Sequence, residues 1–240
     1  DLTASQISNY MDAVNYFSPN PIGSTLEYTG ANRVWRCQVV GIRGIIVKDS
    51  QKISLSREGL SDLFDYVTEG EGYYKDGSFI QHKRYPYAGG YGKELLRDMA
   101  DLMYVLSDSS WSVTDTDSEN LYKWIYDTYM PSVYKGREMD MLRGRNVSRS
   151  NETDKTAGHE VIRSIARITK FAPANDRLNF KKRIKYWMNS DPASTYTFYA
   201  NSDISTIITV KQIMTDSGIT ADNEPVLHKR YPNQDRVIHL

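Results

Sequence analysis

The stretch Lys93-Glu-Leu-Leu-Arg-Asp-Met-Ala-Asp-Leu-Met-Tyr-Val-Leu106 decides the fold class of this chain. Its large apolar residues recur every three or four positions, at Leu95, Leu96, Met99, Leu102, Met103 and Leu106. This is the 3.6-residue period of an amphipathic helix, whose apolar face needs other elements to cover it. The stretch therefore predicts a helix that packs into the core of a helical protein.

Similar patterns flank this helix on both sides. They predict helices after a cap at Thr3 or Ser5, over Asn32–Val47, over Leu60–Val67 with Ser56 as a possible cap, and over about 118–129, 155–169, 175–188 and 203–216. The last of these segments is also compatible with a strand. Loops rich in Gly, Pro, Asn and Asp separate the helices, at Pro19–Gly23, Glu69–Gly77, Pro86–Gly92 and Asn146–Asp154. Helices of this length joined by such loops predict an all-α fold of antiparallel helical hairpins.

The last twenty residues lose the helical period. Arg236-Val-Ile-His-Leu240 is typical of the beginning of a strand. The sequence thus predicts a helical domain over 1–220, followed by a linker or first strand over 221–240 that leads toward a further domain. The pentapeptide His82–Pro86 recurs as His228–Pro232, and one short repeat with different flanks is most simply a coincidence.

Composition limits the classes of function. The 240 residues include 30 basic and 30 acidic side chains, so no global field favours nucleic acid or acidic lipid as a partner. No apolar run approaches the ~20 residues that cross a bilayer. The single cysteine, Cys37, excludes an internal disulfide and a multi-cysteine metal site. The 18 Tyr and 4 Trp offer flat apolar faces that suit sugars and protein cores equally.

Two loops concentrate polar and aromatic residues that a helical scaffold does not require. Asn32 lies where the second helix is predicted to begin, where its amide and the helix N–H groups suit a carboxylate, unless Asn32 only caps its own helix. The second loop runs from Asp76 through His82 to Gly92. Three glycines around Tyr91 allow another molecule to approach closely. The alternative is that His82 and the tyrosines are ordinary surface residues.

A third loop, Arg137–Asn151, is rich in arginine. Arg143, Arg145 and Arg149 are separated by Gly and Ser rather than by helix formers. A loop of this kind suits the binding of an anion, because arginine holds a carboxylate or sulfate with two parallel hydrogen bonds. The alternative is a solvated run of charge.

Together these loops resemble polysaccharide lyase family 8, which contains bacterial hyaluronate lyases, chondroitin AC lyases and xanthan lyases. The resemblance rests on four motifs in order and in register: Thr29-Gly-Ala-Asn32, Asp76-Gly-Ser-Phe-Ile-Gln-His82, Gly89-Gly-Tyr91-Gly92 and Met139-Asp-Met-Leu-Arg-Gly-Arg145-Asn-Val-Ser-Arg149. It implies an incomplete α/α toroid followed by β-domains, in an enzyme longer at both ends than this chain.

The resemblance also implies the chemistry of the site. It places the catalytic roles of a β-elimination on Asn32, His82, Tyr91 and Arg145. The donor at Asn32 would stabilise charge on the uronate carboxylate, and either Tyr91 alone or His82 with Tyr91 would move the protons. Further substrate contacts are expected from the side chains Trp35, Arg143, Arg149 and Asn151.

The expected substrate is a polyanionic polysaccharide, hyaluronan first and chondroitin second, cleaved without a metal or organic cofactor. We expect a secreted or cell-surface monomer with no nucleic-acid partner and no insertion into a membrane. Two alternatives remain open: a non-catalytic glycan-binding helical domain, and a helical scaffold for other proteins.

Overall fold

The computed structural model describes residues 2–18, 20 and 28–240, so most of the predicted loop at Pro19–Gly23 lies outside the described residues. The helices in the described part are α1 Ala4–Phe17, α2 Gly30–Val47, α3 Ser50–Glu58, α4 Ser61–Phe64, α5 Lys93–Leu106, α6 Asn120–Trp124, α7 Met130–Ser132, α8 Asp154–Ile168, α9 Ala174–Ser190, α10 Pro192–Ala200 and α11 Ile204–Thr215. The strands are β1 Gly72–Tyr73, β2 Phe79–Gln81, β3 Tyr85–Pro86, β4 Val133–Tyr134, β5 Arg137–Glu138, β6 His228–Tyr231 and β7 Arg236–His239. The strands are short, and the predicted all-α class is confirmed.

Helix α5 lies in the centre of the core, as its apolar stripe predicts. All six apolar residues of the stripe are buried. One side of α5 packs against α2 and the other against α8, and α8 in turn packs against α9 and α11. Helices α2 and α3, joined by two residues, pack against each other as a hairpin. This succession of neighbours is the arrangement expected for part of an α/α toroid.

Helix α2 begins earlier than the sequence predicts. Its first residue is Gly30, and the preceding Thr29 is extended, with φ −123° and ψ 164°. Asn32 therefore lies in the first turn of the helix, and the interpretation that Asn32 caps this helix is wrong. Its side chain is left available for a partner other than the helix.

The predicted bounds of the third helix are wrong. Helix α3 begins after Asp49, whose carboxylate accepts hydrogen bonds from two backbone N–H groups of the first turn. Ser56 is not a cap: it lies inside α3 and donates to the carbonyl of Cys37 at 2.6 Å. The apolar residues of Leu60–Val67 belong partly to the core, but they form only the single turn α4, because the chain becomes extended at Asp65.

Two other segments differ from a simple helical prediction. The segment near 118–129 is helical, but it divides into a 3-10 turn, α6 and a π-turn at Ile125–Tyr129. The segment near 203–216 is helix α11, capped by the carboxylate of Asp203, and the strand alternative is wrong. Helix α10 was not predicted from the sequence, because its apolar residues do not follow one face.

The strands are local features at the edges of the helices. Strands β1, β2 and β3 form one antiparallel sheet, which leads into the segment that carries Tyr91. The predicted strand at the end of the chain is confirmed: β7 pairs antiparallel with β6. The two copies of the repeated pentapeptide differ in conformation, a turn at His82 and a strand at His228, so they are not a structural repeat. The domain boundary after residue 220 remains a prediction.

Candidate active site

The segment Ala88–Gly92 carries Tyr91 and forms a π-turn at the start of α5. Glycine is required here by close packing: a Cβ on Gly89 would lie 2.8 Å from Cδ of Glu138. In the core, the hydroxyl of the buried Tyr73 donates to the carbonyl of Gly92 at 3.1 Å. The backbone under Tyr91 is therefore held by buried side chains rather than by solvent.

Aromatic rings surround Tyr91 on three sides. The His82 ring meets it edge to face, with centroids 4.7 Å apart and planes at 79°. The rings of Tyr87 and Trp35 lie 5.2 and 5.9 Å away. The Trp35 indole is fixed by a hydrogen bond from Nε1 to the buried carboxylate of Asp98 at 2.7 Å. These contacts fix the position of the phenol ring, and Tyr91 lines a cleft.

Two arginines, Arg145 and Arg149, line the same cleft as Tyr91. The cleft has a volume of about 180 Å³, and its lining residues are Trp35, Tyr87, Gly90, Tyr91, Glu94, Arg145, Asn146 and Arg149. Arg149 pairs with Glu152 at 2.5 Å. Arg145 is exposed and has no ion-pair partner in the part of the chain that the structure describes. Its guanidinium is available for an anionic ligand.

His82 is placed by an unusual turn between β2 and β3. His82 and Lys83 both have positive φ, 52° and 72°, a conformation that side chains other than glycine adopt at a cost. The turn leaves the imidazole exposed beside Tyr91. No described group forms a hydrogen bond with its side chain, so the ring is free to exchange a proton with a ligand.

Asn32 lies in the first turn of α2 and is not among the residues that line the cleft. It lies three residues before Trp35, so the two side chains share one face of the helix, and Trp35 lines the cleft. Asn32 is half-buried, and within residues 2–18, 20 and 28–240 its amide makes no hydrogen bond. Its amide is therefore available to water or to a ligand.

Two residues of the predicted substrate-contact set lie away from the cleft lining. Arg143 is 3% exposed, and its guanidinium is bound by the carboxylate of Asp140 and the carbonyl of Glu152. It holds the arginine loop together from inside, because it joins the start of the loop to its end. Asn151 is exposed in the turn that follows Arg149. Their contact with substrate remains a prediction.

Several residues of the site were not singled out from the sequence. Glu138 is 1% exposed, and both of its carboxylate oxygens are without a hydrogen-bond partner. Burial raises its pKa to about 7, against the opposing influence of Lys93 and Arg143. Glu94 lines the cleft, and burial raises its pKa above the ordinary value in spite of Arg97. Only tertiary contacts identify these carboxylates, since their sequence context is that of ordinary surface residues.

The described residues include no group of three or more His, Cys, Asp or Glu side chains that could hold a metal ion. No described helix is long and apolar enough to cross a membrane. The phenol of Tyr91 and the guanidinium groups of Arg145 and Arg149 line the cleft, and the imidazole of His82 lies against Tyr91 just outside that lining. Such a set is suited to hold a carboxylate-bearing ligand and to move a proton.

Comparison with known proteins identifies the family to which this helical scaffold belongs. The sequence pattern of "Polysaccharide lyase family 8, N terminal alpha-helical domain" matches residues 1–186. This chain belongs to polysaccharide lyase family 8.

Its relatives include enzymes named for three polymers. A xanthan lyase of Bacillus sp. (strain GL1) is 43% identical over an alignment of 240 positions that covers 99% of this chain and 25% of that protein. A hyaluronate lyase of Thermasporomyces composti is 32% identical, over 97% of this chain and 30% of its own length. The Streptomyces coelicolor A3 chondroitin AC lyase, solved in complex with chondroitin sulphate, superimposes with a TM-score of 0.92 at 31% identity, covering 99% of this chain and 33% of that one. The chain thus spans about a quarter to a third of the length of these three relatives.

Proposed function

We propose that this protein cleaves a uronate-containing polysaccharide by β-elimination and leaves an unsaturated uronate at the new chain end. The observation that carries the proposal is the placement of Tyr91 and Arg145 in one cleft of about 180 Å³, with the imidazole of His82 edge-on to the phenol. Membership of polysaccharide lyase family 8 supports the reaction class.

The reaction begins with a weak carbon acid. The C5 proton of a uronate lies beside a carboxylate, so its removal builds further negative charge on that carboxylate. Asn32, in the first turn of α2, donates to the carboxylate together with the helix N-terminus, which favours negative charge. A donor aimed at developing charge is worth roughly 10²–10³ in rate.

Proton transfer completes the elimination. A base takes the C5 proton, the C4–O bond breaks, and the electron pair of the C–H bond forms the C4=C5 double bond. The leaving oxygen receives a proton from a general acid. Tyr91 serves as base and then as acid, with His82 assisting, and a His82 base with Tyr91 as the acid is the alternative. Arg145 lines the same cleft, and its positive charge favours the negative charge that develops there during proton transfer.

The first substrate to test is xanthan. The resemblance of the motifs alone favours hyaluronan, with chondroitin second, but this chain is 43% identical to the Bacillus xanthan lyase and 32% identical to the Thermasporomyces hyaluronate lyase. All three polymers carry uronate, so the chemistry of the cleft serves each of them. We expect the protein to act outside the cell, because polymers of this size do not enter it.

The test is a panel of xanthan, hyaluronan and chondroitin sulfates, with ultraviolet absorbance of the unsaturated product as the readout. We expect Tyr91→Phe to lower turnover by about 10²–10⁴ while binding is nearly unchanged, because the phenol moves protons. The control is Tyr196→Phe, since Tyr196 is 82% exposed and lies on α10, away from the cleft.

Two outcomes would count against the proposal. If Tyr91→Phe retains more than about a tenth of the wild-type rate, the phenol does not carry the proton transfer. If the wild-type chain binds the polymers but the absorbance does not rise, the helical domain is a glycan-binding module rather than an enzyme.

A further inference from the structure

The carboxylate of Glu71 joins two segments of the candidate site. Its Oε2 accepts from Oγ1 of Thr29 at 3.0 Å and from Nε2 of Gln81 at 2.5 Å. Its Oε1 accepts from the backbone N–H of Lys83 at 3.2 Å. One side chain therefore receives three hydrogen bonds from residues that are 10 to 42 positions away in the sequence.

These donors lie beside the predicted catalytic residues. Thr29 is the residue before α2, three positions from Asn32. Gln81 and Lys83 are the neighbours of His82 on either side. The Thr29 hydroxyl makes no capping bond to its own helix, so its bond to Glu71 is the interaction that fixes it.

Packing between the two segments is equally close. The Gln81 side chain is fully buried, and its Oε1 has no hydrogen-bond partner among the described residues. Gly30 has φ +51°, and a Cβ there would lie only 2.7 Å from that oxygen. The start of α2 and the His82 turn thus meet without space for a side chain, independently of the hydrogen bonds to Glu71.

We propose that Glu71 is a positioning residue that sets the spacing and orientation of Asn32 relative to His82, an inference that rests on the proposed lyase function. Glu71 lines a neighbouring cavity with Thr29 and Arg33 rather than the cleft itself. It acts on both segments: it accepts from the hydroxyl of Thr29, the residue before α2, and it holds the positive-φ turn by the backbone N–H of Lys83.

The physical reason is the strength and direction of the bonds to an ionised carboxylate, which are about twice as strong as bonds between neutral groups. Catalysis by an amide donor and a proton-transfer group requires both to be in place at once. A displacement of about 1 Å between such groups costs on the order of 10²-fold in rate.

The test compares Glu71→Gln with Glu69→Gln in the full chain. Glu69 is an exposed carboxylate two residues away. We expect Glu71→Gln to lower kcat by roughly 10–10² with little change in KM, because orientation rather than binding is lost. Glu69→Gln should leave both constants unchanged. An effect of Glu71→Gln on KM alone, or no effect, overturns the inference.

A double variant separates positioning from a general loss of folding. Thr29→Val keeps the branched shape of the side chain and removes only the hydroxyl that donates to Glu71. If Thr29 acts through Glu71, the variant that combines Thr29→Val with Glu71→Gln has the same kcat as Glu71→Gln alone. A kcat equal to the product of the two separate effects overturns the inference.

Hydrogen exchange provides a readout that does not depend on activity. We expect Glu71→Gln to speed amide exchange in residues 29–33 and 82–84 together, with exchange in α8 and α9 unchanged. Failure of the proposed function is recognised separately, as a wild-type chain that yields no unsaturated product from any of the polymers. Unchanged exchange in both segments counts against the role of Glu71 whatever the activity.

Discussion

Replacing Glu138 by Gln is expected to make the protein more stable at neutral and alkaline pH. Glu138 lies on β5 directly beneath Gly89, is 1% exposed, and has no hydrogen bond to either carboxylate oxygen. Its ionised form is disfavoured first by burial, and Lys93 and Arg143 oppose that effect only in part. Each of these cations has a carboxylate partner elsewhere, in Glu160 and Asp140, and both of those carboxylates also disfavour ionisation of Glu138.

The sign of the effect follows from the two pKa values. The pKa of Glu138 is raised from 4.5 to about 7 in the folded protein. Its contribution to the free energy of unfolding is therefore fully present below pH 4.5 and is lost as the pH rises through about 7. At about 1.4 kcal/mol per pH unit, the loss amounts to about 3 kcal/mol. The Gln variant has no proton to lose at this position and keeps that stability.

The assay is thermal unfolding of both proteins from pH 4 to pH 9. For a domain of this size, about 3 kcal/mol corresponds to roughly 6–12 °C in Tm. We expect the Tm difference, variant minus wild type, to be near zero at pH 4 and to grow across the interval up to pH 8. Glu58→Gln, an exposed position, is the control that should show no such growth. A difference that stays constant from pH 4 to pH 9 refutes the reasoning, because Glu138 would then not titrate in that interval.

Two further predictions concern the site and the core. Asn32→Ala should lower kcat by about 10²–10³, as expected for loss of a donor to developing charge; a steady-state analysis that finds only a higher KM would make Asn32 a plain binding residue. Cys37 is fully buried, and burial raises its pKa to about 12. The native thiol should therefore not react with an alkylating reagent at pH 8, whereas one equivalent of reagent should react after the protein is unfolded in denaturant. Rapid modification of the native protein would contradict the burial of Cys37.

The helices that the sequence predicts well are those with a strong apolar period. In α5 every third or fourth residue is large and apolar, and burial of that face is the dominant contribution to its position. The pattern fails at α3, because Ser50–Glu58 is mostly polar and is placed instead by the cap at Asp49 and by the bond from Ser56 to α2. Caps and single buried hydroxyls depend on tertiary partners, which periodicity does not reveal.

The same distinction applies to the site. Tyr91, Arg145 and Arg149 were proposed from motifs, and the structure brings them to one cleft, although their catalytic and binding roles remain predictions. Glu71 and Glu138 were not proposed, since each is an isolated carboxylate in the sequence. Their partners come from segments up to about fifty residues away, so their role becomes visible only when the chain is folded.

Hydrogen-bonding capacity separates the residues that hold the site together from those that face a ligand. The guanidinium of Arg143 is hydrogen-bonded to Asp140 and to the carbonyl of Glu152 within its own loop. Asn32 is half-buried and Arg145 is exposed, and neither has a side-chain partner among the described residues. In the proposed complex, a ligand takes the place of the water at these two side chains. A uronate carboxylate satisfies both an amide donor and a guanidinium, which is why the substrate proposed for this cleft is an acidic sugar rather than a neutral one.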